Sequence, residues 1–202
     1  DFTRNSSATR VNSQGLIEDM QILSGNLVTN GDFSQESSEL VTNGDFATDS
    51  DWSKGTGITI SGGSANFTGN ANSFLTQSGV VTLNKTYKAT FTISNYVSGA
   101  IDINLGGSTR QGNVNANGTY TFYIKVPSGN ILYFQEDFTN GFIGSIDNVS
   151  VKEVGQDWNL NNGAAIAEDK ATIIGDGSVF GYIEQVSTFV SGKKYKVTLD
   201  AI

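Results

Sequence analysis

Apolar and polar residues alternate with a period of two in several stretches of this chain, and this restricts those stretches to half-buried β-strands. Tyr87, Ala89, Phe91 and Ile93 fall on one face, with Lys88, Thr90 and Thr92 on the other. Ile101, Ile103 and Leu105 alternate with Asp102 and Asn104, and Tyr120, Phe122, Ile124 and Val126 alternate with Thr121, Tyr123 and Lys125. Successive side chains of a strand point to opposite sides. One apolar and one polar side therefore means antiparallel strands with a core on one face and solvent on the other. Ile58–Ile60, Ser64–Thr68, Phe74–Leu83 with a bend at Gly79, Ile131–Gln135 and Ile146–Val151 complete the set. With 24 Gly and 1 Pro, turn signals are frequent and helix-favouring runs are scarce. About eight or nine strands over roughly 130 residues predict an all-β, antiparallel jelly-roll sandwich.

Two repeats organise the chain. Leu-Val-Thr-Asn-Gly-Asp-Phe occurs at Leu27–Phe33 and again at Leu40–Phe46, 13 residues on (40 − 27). Each copy reads as a short apolar segment, an Asn-Gly turn, an acid and a buried aromatic. A longer repeat relates Asp51-Trp52-Ser53 to Asp157-Trp158-Asn159, 106 residues apart (158 − 52). It also relates the Tyr87 segment to the Tyr195 segment and Gln77 to Gln185, 108 residues apart (195 − 87). A two-residue insertion reconciles the offsets. The expected organisation is an N-terminal arm over 1–25, a jelly roll over 26–153, and the start of a second, incomplete copy over 154–202. Half a jelly roll leaves sheet edges and an apolar face open, so a longer tandem protein is expected. In the arm, Ala8–Val11 and Leu16–Asp19 predict a hairpin, with Gly15 supplying the positive φ of its turn. The first heptapeptide has no counterpart just before Trp158. It is therefore expected to be a spare strand that pairs with an open sheet edge, in its own domain or in a neighbouring subunit.

Several functions are excluded. The net charge is −8 with 12 scattered Lys and Arg. That lacks the basic footprint of a nucleic-acid binder. No apolar stretch approaches the ~18 residues of a membrane-spanning helix, so membrane insertion is not expected. His and Cys are absent, which removes histidine acid–base chemistry, Ser-His-Asp triads and cysteine nucleophiles. Asp49, Asp51, Glu136 and Asp137 could serve only as carboxylate pairs, and acids in loops are usually solvated, so the chain reads as a non-enzyme. Leu105–Arg110 is Gly-rich but lacks a Lys-Ser/Thr ending, so it is a turn rather than a phosphate cradle.

Asn26–Phe33, its second copy followed by Asp51-Trp52, and the closing Ser145-Ile146-Asp147-Asn148-Val149-Ser150-Val151 resemble carbohydrate-binding modules of the family 4/9 type. The resemblance covers about residues 26–153 and implies a jelly roll. It also implies a structural Ca²⁺ held by Asp45 and Asp147 between the first and last strands. The competing reading is that Asp45 caps the Asn43-Gly44 turn and Asp147 bonds local N–H groups. The opening Phe2-Thr3-Arg4 with Ala8-Thr9-Arg10, followed by Gly15-Leu16-Ile17-Glu18, resembles a segment of bacteriophage tail-fibre and other virion structural proteins.

Sugar binding requires an aromatic platform beside amide and carboxylate groups. Tyr123 falls on the polar face of its strand, and Tyr96, Tyr133, Gln135 and Glu136 lie on or near strand ends. These five are the candidates, with core or inter-domain packing as the alternative role for the rings. The function expected from these readings is a structural and adhesive component on the exterior of a phage virion, such as a tail or head fibre. It would be a homo-oligomer assembled with other virion proteins, and its host attachment would involve surface polysaccharide. The alternative is a secreted bacterial carbohydrate-binding module of a glycan-degrading enzyme or adhesin.

Overall fold

The structure, a computed structural model, describes residues 9–11, 13–19, 25–174, 180–186 and 189–201. The Phe2-Thr3-Arg4 part of the arm motif lies outside them. Two compact units form: Asn30–Gln185, and a second built from Asp1–Thr29 together with Val186–Ile202.

In the smaller unit, β1 (Thr9–Val11) and β2 (Ile17–Asp19) make the expected antiparallel hairpin, with Val11 opposite Ile17. Gly15 sits in its turn at a φ of 78°. Tyr195, further on in the same unit, accepts a hydrogen bond on its hydroxyl from the Val190 N–H at 2.6 Å.

The larger unit is dominated by a sandwich. Its strands are β3 (Ser53–Lys54), β4 (Ile58–Ser61), β5 (Ser64–Thr68), β6 (Phe74–Gln77) and β7 (Thr86–Gly99). They continue with β8 (Ile101–Leu105), β9 (Gln111–Val114), β10 (Gly118–Lys125), β11 (Leu132–Glu136) and β12 (Phe142–Val154). One five-stranded sheet has the order β10-β7-β12-β5-β4 and the other β3-β6-β11-β8-β9, every pairing antiparallel. The fold is the predicted antiparallel jelly-roll sandwich. Alternation does the work: Tyr87, Ala89, Phe91 and Ile93 of β7 are buried, as are Ile101, Ile103 and Leu105 of β8. Phe91 lies at the centre, edge-on to Phe134 of the facing sheet at 4.9 Å and 78°, and stacked on Phe122 at 6.1 Å. Each such fully buried side chain contributes roughly 1.5–3 kcal/mol.

β12 closes the sandwich, and its middle carries a bulge. The register to β7 shifts between Asp147 and Ser150, and Asn148 takes a φ of 52°. The Val149 N–H there donates to the Gly44 carbonyl at 2.9 Å, tying the Asn-Gly turn of the second heptapeptide to the last strand. Beyond Ile146, β12 no longer pairs with β5, which leaves one edge open. Residues 36–40 cover that edge. Glu36 bridges Val154, the Ser37 N–H donates to Glu153 O at 3.0 Å, and the Leu40 N–H donates to Val151 O at 3.1 Å. Glu36 also receives Lys88 at 2.7 Å and Lys152 at 3.1 Å, which holds its carboxyl below the usual range. The edge is therefore paired by the linker after the first heptapeptide; the heptapeptide itself, expected to be a spare strand on an open sheet edge, forms no strand. The heptapeptide's turn residues are engaged elsewhere.

The larger unit also contains β13 (Asn159–Asn161), β14 (Ala164–Ala167), β15 (Lys170–Ile173) and β16 (Tyr182–Glu184). β13 pairs with β16 and β14 with β15, both antiparallel. No helix long and apolar enough to cross a membrane occurs among the described residues.

Candidate glycan-contact face

The outward side of the sheet β3-β6-β11-β8-β9 brings an aromatic pair together with amide, carboxylate and guanidinium groups. Leu132, Phe134 and Glu136 of β11 share the inward parity, so Tyr133 and Gln135 point outward. Register extends each into a row. Ser53, Thr76, Tyr133 and Asn104 stand opposite one another across four strands, and Phe74, Gln135 and Asp102 form the adjoining row. The Phe74 and Tyr133 rings meet edge to face at 6.4 Å and 72°. Both are half-buried, so each is fixed in place while part of its surface faces solvent.

The polar groups around the two rings are preorganised. The Gln135 amide donates to Asn72 Oδ1 at 2.9 Å. Asp102 accepts from the Asn113 N–H at 2.7 Å on one oxygen and lies 3.4 Å from the Arg110 guanidinium on the other. Arg110 in turn covers the Phe138 ring, 4.3 Å from its centroid. Asn104 accepts from the Gly107 N–H at 3.0 Å and donates to the Ser108 carbonyl. A ring face beside amides, a carboxylate and a guanidinium can stack on a pyranose while hydrogen-bonding its hydroxyls.

The predicted residues separate into three groups. Tyr133 and Gln135 lie together on this face, Tyr133 half-buried and Gln135 buried with its amide on Asn72, so that Gln135 supports the face from beneath. Tyr123 and Tyr96 belong to the other sheet. Tyr123 stands opposite Lys88 on the outward side of β10, next to the Lys88–Glu36–Lys152 ion pairs. Tyr96 donates its hydroxyl to Gly99 O at 3.1 Å and packs its ring 6.2 Å from Phe142. Glu136 is fully buried and points into the core. One of its oxygens accepts the Phe142 N–H at 2.8 Å, and the other has no hydrogen-bond partner among the described residues. Burial pushes its carboxyl up to about 7, against the single bond from Phe142. A carboxyl without access to solvent contacts no sugar.

The structure adds Phe74, Thr76, Asp102, Asn104 and Arg110 to this site. Asp102 and Asn104 were legible as the polar half of an alternating strand. Their place beside Tyr133 needed the inter-strand register.

Asp45 and Asp147 are both occupied locally. Asp45 accepts from the Ala47 N–H at 3.3 Å, and Asp147 accepts from the Asn148 N–H at 2.6 Å and from the Asn148 side chain at 3.1 Å. No group of three or more acidic, His or Cys side chains comes together among the described residues. Ca²⁺ takes about six to eight oxygens, so a site built on this pair would draw its remaining ligands from backbone carbonyls and water.

No protein-family model matches the chain, and no curated protein matches it in sequence. Three solved structures share features of its backbone. The carbohydrate-binding module CBM35 of Paenibacillus barcinonensis is 17% identical with a TM-score of 0.39, over 51% of this chain and 93% of that one. The enzymatically active domain of tailspike protein 4 from bacteriophage CBA120 is 18% identical with a TM-score of 0.39. That alignment covers 57% of this chain but only 21% of the tailspike chain. A CBM4 module is 16% identical with a TM-score of 0.35, over 62% of this chain and 98% of that one.

Proposed function

We propose that this chain is a non-enzymatic structural and adhesive component on the exterior of a phage virion, and that its sandwich contacts host surface polysaccharide. The observation that carries the adhesive part is the Phe74–Tyr133 ring pair set among Thr76, Asn104, Asp102 and Gln135 on one sheet face. The resemblance of the arm to tail-fibre segments supports the virion setting. The hairpin arm, too small to be stable alone, supports assembly with copies of itself and with other virion proteins.

The same face argues against hydrolysis. A glycosidase needs two carboxyl groups about 5–10 Å apart flanking an open bond-cleavage site. Asp102 is the one carboxylate in the two rows, and it is tied to Arg110 and the Asn113 N–H. Asp137, one residue beyond Glu136, is held below the usual range by the N–H groups of Asn140 and Thr139. It is thus bonded within its own loop.

A glycan array tests the adhesive part. The protein is expected to retain a subset of bacterial surface polysaccharides, and Tyr133→Ala to lose roughly tenfold or more in affinity for them, since covering an aromatic side chain contributes about 1.5–3 kcal/mol. Tyr123→Ala, on the opposite sheet, is the control and should bind as the parent does. Equal loss in both variants would move the site off this face. The virion setting is tested separately, by mass spectrometry of purified particles. Absence of the chain from particles overturns that setting and leaves the glycan result standing.

A further inference from the structure

The heptapeptide repeat and the Trp repeat are locked to each other in a crossed way. In the sandwich, the Trp52 indole N–H donates to the Asn43 carbonyl at 3.0 Å, and its ring lies 5.2 Å from Phe46 at 41°. Trp158 makes the same two contacts with the first heptapeptide. Its indole N–H donates to Asn30 O at 2.9 Å, and its ring lies 5.2 Å from Phe33 at 45°. The match extends to the side-chain amides. Asn43 Nδ2 donates to Ser50 O at 3.0 Å, two residues before Trp52, and Asn30 Nδ2 donates to Gln156 O at 3.1 Å, two residues before Trp158. Each Asn Oδ1 accepts the N–H five residues on, from Thr48 at 3.2 Å and from Gln35 at 3.0 Å. The turns agree as well: Asn43 and Phe46 have φ of 52° and 49°, and Asn30 and Phe33 have 46° and 59°.

Downstream of each Trp the correspondence continues. Ile58↔Phe67 and Ile60↔Ala65 of the β4–β5 pair reappear in register as Ala164↔Ile173 and Ile166↔Ala171 of β14–β15. Ser53↔Thr76 and Lys54↔Leu75 of β3–β6 reappear as Asn159↔Glu184 and Leu160↔Ile183 of β13–β16. Gln77 donates to Asp51 O at 3.3 Å, and Gln185 donates to Asp157 O at 3.2 Å.

We infer that the chain is not a plain tandem array but a nested one: the complete sandwich is inserted into a surface turn of a second module whose opening segment is the first heptapeptide. The equivalences place the insertion to the residue. Gln35 stands where Thr48 stands, and Gln156 stands where Ser50 stands, so residues 36–155 occupy the place of Asp49. The insert leaves and re-enters at one point, because Glu36 and Val154 are bridged partners and the Ser37 and Glu153 backbones bond at 3.0 Å. An insertion needs chain ends that lie side by side, as these do.

The two Trp residues, the only ones in the chain, report the two modules separately. In the full chain labelled with 5-fluorotryptophan, two ¹⁹F resonances are expected, assigned by Trp158→Phe. Asn30→Ala and Phe33→Ala should each shift the Trp158 resonance and lower the denaturant midpoint at which it moves to its unfolded position. Both should leave the Trp52 resonance and midpoint unchanged. A Trp158 signal indifferent to both substitutions overturns the nesting. So does a Trp158 shift that appears on dilution of the unsubstituted protein, because the opening segment would then come from another copy. Phe33→Ala removes an aromatic contact and Asn30→Ala removes only an amide, so a general collapse caused by the first is recognised by the second.

Discussion

Glu136→Gln is expected to raise the melting temperature at pH 8 by roughly 5–10 °C and to leave it nearly unchanged at pH 4.5. Glu136 is fully buried, and its carboxyl is raised from 4.5 to about 7. The sign follows from proton binding. Between these two values the unfolded chain has released the proton and the folded protein has kept it. Folding is therefore favoured less and less as pH rises from 4.5 to 7, and the loss is constant above that. A shift of this size corresponds to about 3 kcal/mol. Glutamine keeps an oxygen for the Phe142 N–H and removes the titration, so most of that destabilisation should disappear. Calorimetry of both proteins at half-unit steps from pH 4 to 8.5 gives the comparison. Melting curves that run parallel across the range would show that Glu136 does not titrate as its burial requires.

The second large effect is expected at Gly44, where alanine should destabilise the sandwich by about 2–3 kcal/mol. A Cβ there would lie 2.1 Å from the Val149 carbonyl oxygen and 3.2 Å from the Val41 side chain. Neither neighbour can yield easily, because Val149 is fixed in the β12 bulge and its N–H already bonds the Gly44 carbonyl. Gly62→Ala is the comparison. Gly62 has a φ of 63° but open space around it, so only backbone strain of about 1–2 kcal/mol applies. Chemical denaturation of the two variants separates steric closure from strain. If Gly44→Ala were the milder of the two, the turn would not be clamped to β12 as described.

The strands were legible where side chains alternate. Tyr87–Ile93, Ile101–Leu105 and Tyr120–Val126 match β7, β8 and most of β10. The sequence was silent where pairing overrides local preference. β7 runs on through Ser94–Gly99 and β12 starts at Phe142, because the two polar, Gly-containing ends pair with each other, Phe142 opposite Gly99 and Ser145 opposite Ser94. β9 carries Gln111 and Gly112 and has no apolar rhythm at all; it exists because β8 offers it an edge. At the candidate face, Tyr133 and Gln135 were readable, and Phe74 and Asp102 depended on which strands became neighbours. Glu136 departs from the expectation that an acid at a strand end is solvated. Its parity with Leu132 and Phe134 already pointed inward.

The bridge between Glu36 and Val154 has a consequence for how such a protein diversifies. A segment whose two ends meet can be exchanged for another of different size without moving the ends of the chain that hosts it. The outer module would then act as a fixed socket, and the residues between Gln35 and Gln156 as a cartridge that carries the recognition face. If the Tyr133 face makes the glycan contact proposed above, a change of ligand would require replacing that cartridge alone, with the Asn30 turn and Trp158 left untouched as the rim that receives it.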